Sequence, residues 1–478
     1  MNSLIKTIKI LLACLALFAL AGCAVNPVSG QQDFVTMSEA QEISLGRGAN
    51  ADVRKQYKVY ESPALQDYVD SVGQKIAQHS HRTNLRYHFT VLDTPEINAF
   101  ALPGGYVYVT RGILAYLNSE AELAAVLGHE IGHVTARHSV RQASASQVAN
   151  IGVAIASIFV PEVGSSNLGN SLAGALLSGY GRDHELEADR LGAEYLARTE
   201  YDPQAMIRVI GVLKNQELFD AEIARQEGRQ PRRYHGVFAT HPDSDTRLQQ
   251  AVGESSHLAV AQPREGYTDF LQHMDGLVFN DSGDQGVVRN NKFLHADLGI
   301  ALTFPPGWRV QNQADKLVAT SPSSDAAIQL KMDERPSGSP ADYVRRMVDY
   351  NSDYPLETLE INRLPAAIVT LPAALAGVVY LDRKAYIIEC KAKSREAFDA
   401  YRYGMLDTVK SFHALDQAER GQAKPLTIKL IMPRAGDTYA RLAQHSPLGK
   451  GAESYLRLIN GDYPRGEPTP GQYLKIVE

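Results

Sequence analysis

Only three cysteines, Cys14, Cys23 and Cys390, occur in 478 residues, too few for a disulfide framework. No run of about 20 apolar residues, the length a membrane-spanning helix needs, is present, which excludes a multi-span membrane architecture. Long basic runs are also missing. With a formal net charge of −6, the chain has no electrostatic footprint for nucleic acid. Nor is it poor in apolar residues: 44% hydrophobic against 21% charged residues exclude wholesale disorder. At roughly 150 residues per domain, the length suggests about three domains.

The N-terminus carries a targeting signal. Lys6 and Lys9 precede an apolar run from Ile10 to Leu20, which has signal-peptide proportions. The run ends in Leu20-Ala21-Gly22-Cys23, which resembles the bacterial lipoprotein box. That resemblance implies removal of residues 1–22 and lipid on Cys23, and Ala24 rather than Asp after the cysteine implies the periplasm, at the outer membrane. Cys14 then leaves with the signal. Cys390, within the strand-like run Tyr386 to Lys391, reads as a buried small hydrophobe.

After a tether over 23–37, Ser38 answered by Gln41 marks a helix start. A second helix is expected from Pro63 to Gln78, and strands over Arg86 to Leu92 and Tyr106 to Thr110. Asn98, Ala99 and Phe100 are expected on an edge strand that Pro103 ends, where an extended peptide could add to unpaired backbone groups, the Phe100 amide among them. Ser119 and Glu122 form a capping box before helix formers running from Ala121 to Arg141. That helix contains His129-Glu130-Ile131-Gly132-His133. Histidines four apart lie on one helical face, about 6 Å apart along the axis, and can share one tetrahedral zinc. Glu130, one residue round, can reach water at that metal without ligating, as a metalloprotease's general base must.

A third ligand is needed. Six residues beyond His133, where a metzincin places it, stands Ser139. His138, nine residues after His129, falls on the opposite face of a continuous helix and reads as solvated. Gly181 to Asp189 opens another helix that repeats, through Glu185, Ala188, Asp189 and Gly192, the offsets of His129, Gly132, His133 and Ala136. Small residues between polar ones let two backbones approach while long side chains converge. Glu185 is therefore expected as third ligand, with Glu187 as fallback, and Asp189 as the group that orients a histidine through its free ring N–H.

HEIGH, Glu185-Leu-Glu-Ala-Asp189 and Asn98-Ala-Phe-Ala-Leu-Pro-Gly-Gly105 together resemble the gluzincin family of CAAX prenyl proteases, HtpX and the soluble periplasmic BepA-type peptidases. The resemblance implies one zinc per chain on His129, His133 and Glu185, with Glu130 as base. It implies a role in outer-membrane protein quality control, with unfolded or misassembled envelope proteins as substrates and the β-barrel assembly machinery as a partner. Thr240-His241-Pro242 resembles a family motif whose histidine can approach the metal, making His241 a candidate fourth, regulatory ligand. The apolar stretch 149–160 and the Gly/Ser-rich 164–179 read either as a buried core helix or as a lid over the zinc.

The remainder reads as a linker over 256–290, an α+β domain over 291–415 containing Trp308, and a β-α-α-β unit over 424–478 that resembles glycan-binding LysM modules, implying peptidoglycan as a further partner. The expected fold class is α+β: a mainly helical zincin peptidase domain over 38–255 with a small sheet, then the two smaller units. The expected function is that of a lipid-anchored periplasmic zinc endopeptidase. The alternative is a chaperone-like or peptidoglycan-binding lipoprotein with little proteolysis.

Overall fold

The computed structural model describes residues 23–144, 181–226, 247, 257–258, 260–312, 316–334, 337–348, 354–449 and 451–478. It mixes helices and sheets, and divides into two compact units, one of residues 1–219, 233–277 and 428–478 and the other of 220–232 and 278–427. Among the described residues no helix is long and apolar enough to cross a membrane.

The first unit opens with a hairpin of β1 (Cys23–Val25) and β2 (Gln32–Phe34). Helix α1 (Glu39–Gln56) follows, with Ser38 and Gln41 in a reciprocal capping box. In α2 (Pro63–Ala77), Leu65, Val69, Val72 and Ile76 recur at helical spacing and are buried. A three-stranded sheet has the order β3 (His88–Leu92), β5 (Tyr106–Thr110), β4 (Ala99–Leu102), parallel in the first pair and antiparallel in the second. It leads through the single turn α3 (Arg111–Leu114) to α4 (Glu120–Thr135), every residue of which is buried. Helices α5 (Arg182–Arg198), α6 (Ala205–Gln226), whose residues from 220 on fall in the second unit, and α7 (Tyr267–Met274) follow.

The second unit is built on a seven-stranded antiparallel sheet from Arg309–Asn312 at one edge to Leu356–Ile361 at the other. Alternation along its strands sends Ile328, Leu330, Ile388 and Cys390 to one face, against Phe398, Met405 and Val409 of helix Arg395–Ser411 and a core that includes Trp308. Ala367, Val369, Val378 and Ile387 cover the other face, against helix Pro340–Met347. Burial pushes the Cys390 thiol well above its ordinary pKa, so it is a core residue and no nucleophile.

Two expectations need correction. Residues 256–290 are not a linker: α7 buries Phe270, Leu271 and Met274, and the boundary between units falls at 277/278. The last residues are not an independent unit either. Leu426–Ile431, Tyr439–Ala443, Ala452–Ile459 and Leu474–Val477 do follow as strand, helix, helix, strand, but 428–478 belongs to the first unit. Several contacts tie it there: Ile428 exchanges backbone hydrogen bonds with Gly276 and Leu277, the Tyr455 ring packs edge-on to Phe219, and Lys475, fully buried, donates from Nζ to the carbonyls of Ala115 at 2.8 Å and Leu117 at 2.6 Å, just beyond α3.

Burial pushes the Lys475 ammonium from an ordinary 10.5 down to about 7, with Glu122 opposing. A neutral amine still has two N–H groups, enough for both carbonyls. Lys475→Met should therefore cost on the order of 2–4 kcal/mol, because both carbonyls lose a buried donor. Between the folded pKa of about 7 and the unfolded 10.5, the unfolded chain binds the extra proton, so this group's contribution is lost below that window and recovered as pH rises through it. Parallel melts of wild type and Lys475→Met should diverge from pH 7 to 10; a constant gap would contradict the buried position.

Candidate metal centre

Helices α4 and α5 pack through small residues. A Cβ added at Gly132 would lie 3.1 Å from the Ala188 carbonyl oxygen, and one added at Gly192 would lie 3.1 Å from the His129 nitrogen and 2.5 Å from the Met206 methyl. The backbones can therefore meet at a distance that larger residues forbid. On the facing sides stand His129, His133 and Glu185, all buried, with one ligand atom from each within 4.8 Å of the others. The Nε2 atoms of the two histidines are 3.0 Å apart. Glu185 lies 3.5 Å from each, through a different carboxylate oxygen. Two imidazoles and a carboxylate converging on one point suit a zinc ion. Glu130, between the histidines, is 2% exposed.

His129 Nδ1 lies 2.8 Å from Asp189 Oδ1, so a carboxylate stands beside the ring's outward nitrogen. Burial works to lower the His129 pKa, but Asp189 and Glu185 outweigh it and raise it to about 9. Burial likewise works to raise that of Asp189, but Arg247 and His129 outweigh it and hold the carboxyl below its ordinary value. Arg247 is the functional residue that sequence reasoning missed. It is buried, grips Asp189 with two hydrogen bonds of 2.7 Å, and places Nη1 3.2 Å from Glu185 Oε2. The only signal was its place at the end of the His241 segment.

The helix carrying the histidines is shorter than expected, and His138 is buried rather than solvated. Helix α4 ends at Thr135, and Arg137 adopts a left-handed φ of 56° before helical geometry resumes at 138. That conformation costs a non-glycine residue roughly 1–2 kcal/mol. Glu42 of α1 offsets it, accepting Arg137 Nε at 2.9 Å and Arg82 Nη1 at 2.7 Å, while the same Arg82 nitrogen caps the Val134 carbonyl at 3.1 Å. The reversal puts His138 Nδ1 2.8 Å from His133 Nδ1. Glu187, the fallback ligand, is not in the cluster: its Oε2 lies 3.0 Å from His138 Nε2 and 3.1 Å from Arg141 Nη1. Those partners hold the Glu187 carboxyl at about 2 against burial. His241 and the stretches 149–160 and 164–179 lie outside the described residues.

The sequence of residues 63–255 matches Peptidase family M48. Those residues are an M48 peptidase domain. Relatives include the beta-barrel assembly-enhancing protease of Escherichia coli (strain K12), 30% identical over 252 residues, or 50% of each chain. Another is the protein of the same name from Yersinia pestis, 30% identical over 51% of this chain and 50% of that one. The mitochondrial metalloendopeptidase OMA1 of Schizosaccharomyces pombe is 31% identical over 37% of this chain and 54% of its own. The chain spans about half the length of the relatives it matches first. Both ligand helices fall inside the M48 domain.

Gly132→Ala tests the helix contact. Overpacking costs about 1–3 kcal/mol, against about 1 kcal/mol of helix propensity that alanine returns. The variant should stay folded yet bind zinc more weakly, because ligand distances tolerate only about 0.2 Å. Chelator competition reads this directly, and unchanged affinity would show that the helix spacing does not set the site.

Proposed function

We propose that this chain is a lipid-anchored periplasmic zinc endopeptidase that degrades misfolded or stalled envelope proteins. The observation that carries the reading is the buried convergence of His129, His133 and Glu185 beside Glu130. A zinc ion held there supplies Lewis acidity to a peptide carbonyl and to water. Glu130 accepts the attacking water's proton and delivers it to the departing amine. The relatives named for β-barrel assembly support the substrate class. Anchoring through Cys23 at the outer membrane rests on the lipoprotein box, and His241 as a resting fourth ligand rests on its motif.

Glu130→Gln should keep zinc and lose cleavage of an unfolded β-barrel protein, whereas His133→Ala should lose both. Envelope proteins retained by Glu130→Gln would then identify substrates. Full clearance of such proteins by Glu130→Gln would instead favour a chaperone-like or glycan-binding role.

Substrate is held at β4, an edge strand. The Thr110 amide donates to the Asn98 carbonyl, which makes that a hydrogen-bonded pair. By alternation Phe100 faces β5 and the outward groups belong to Ala99 and Ala101, so Phe100 is not the free donor expected from sequence. Ala99 also lines a mainly apolar pocket with Val126, Met206 and Ile210 next to His129 and Glu130, which suits an apolar side chain at the scissile bond. Ala101→Pro should reduce cleavage while zinc stays bound and the protein stays folded. Unchanged kcat/KM in that variant would remove β4 from substrate binding.

A further inference from the structure

Each histidine of the metal centre turns one ring nitrogen toward the ligand cluster and the other away. For His129 the outward partner is the Asp189 carboxylate. For His133 it is a third imidazole, with His138 Nδ1 2.8 Å from His133 Nδ1. At that separation one nitrogen donates and the other accepts. His133 needs a bare Nε2 to ligate, so its ring hydrogen stands on Nδ1 and donates to His138 Nδ1. His138 then carries its hydrogen on Nε2, 3.0 Å from Glu187 Oε2, which accepts it. Arg141 Nη1, at 3.1 Å, holds that carboxylate in place. The His184 ring stacks on His138 with centroids 4.3 Å apart and planes 23° from parallel. The metal end and the carboxylate end thus demand the same pair of tautomers.

We propose that His138 is a positioning residue for the metal centre. It accepts the His133 Nδ1–H, fixes that ring's rotation and tautomer, and strengthens the Nε2 lone pair offered to the metal, with Glu187 as its anchor. Helix α5 then contributes three carboxylates with three separate tasks: Glu185 to the metal, Asp189 to His129, and Glu187 to His133 through His138. Histidine positions depend on such outer hydrogen bonds, whose removal costs about 10–100-fold in metal affinity.

The inference rests on reading the cluster as a metal site, and the two can fail separately. Zinc affinity of the full chain is measured by competition with a chromophoric chelator. His138→Leu removes the acceptor and should weaken zinc by about 10–100-fold. In His138→Asn the amide oxygen stands near the position of Nδ1, so most of the affinity should return. In His138→Gln the amide reaches toward the Nε2 position instead, and affinity should remain close to that of the leucine variant. Melting of the metal-free proteins separates packing from positioning, since a packing role predicts lower melting temperatures with no rescue of zinc affinity by asparagine. His138→Leu binding zinc as wild type does, or His138→Asn binding no better than His138→Leu, overturns the proposal. If His133→Ala binds zinc like wild type, the metal-site reading itself fails.

Discussion

The close approach of α4 and α5 is the constraint on which the rest of the site depends. A carbon added at Gly132 would press on the Ala188 backbone, and one added at Gly192 would press on the His129 nitrogen and the Gly128 carbonyl carbon. Because Gly132 and Gly192 are small, His129 and His133 from one helix meet Glu185 from the other. The ligand geometry is thus a packing result. Neither helix could bind a metal with three protein ligands by itself.

A site built in this way buries charge, and isolated buried charge is costly. The protein answers with pairs drawn from distant parts of the chain. Arg247 sits against Asp189 and Glu185, and Arg141 against Glu187. Glu42 sits against both Arg82 and Arg137 at the end of the ligand helix. That last cluster also sustains the left-handed turn at Arg137, and so decides which way His138 points. The C-terminal strand makes a comparable contribution at the helix's other end, where Lys475 supplies the carbonyls of Ala115 and Leu117.

Much of this could be read from the sequence, for definite reasons. Histidines four apart on a helical pattern have one geometry, and matching small-residue offsets around Glu185 and Asp189 disclosed the partner helix. The capped start at Ser38, the buried Cys390 and the edge position of β4 followed from equally local rules. What was not legible depends on tertiary context. His138 looks solvated in sequence because nothing there interrupts the helix at Arg137, a residue type that seldom adopts positive φ. Arg247 is hidden because no local pattern ties a guanidinium to the Asp189 carboxylate 58 residues away. The C-terminal segment looks independent in sequence because distant ties, such as Lys475 to the Leu117 carbonyl 358 residues away and Tyr455 to Phe219, leave no mark on hydrophobic periodicity.

The most direct test is the anomalous scattering of crystals grown with zinc, recorded on both sides of the zinc absorption edge. The account requires one peak per chain, about 2.0–2.2 Å from His129 Nε2, His133 Nε2 and a Glu185 carboxylate oxygen, with Asp189 and His138 on the outer ring nitrogens. A peak ligated by Glu187 or by His138, or no peak between the two helices, would contradict it.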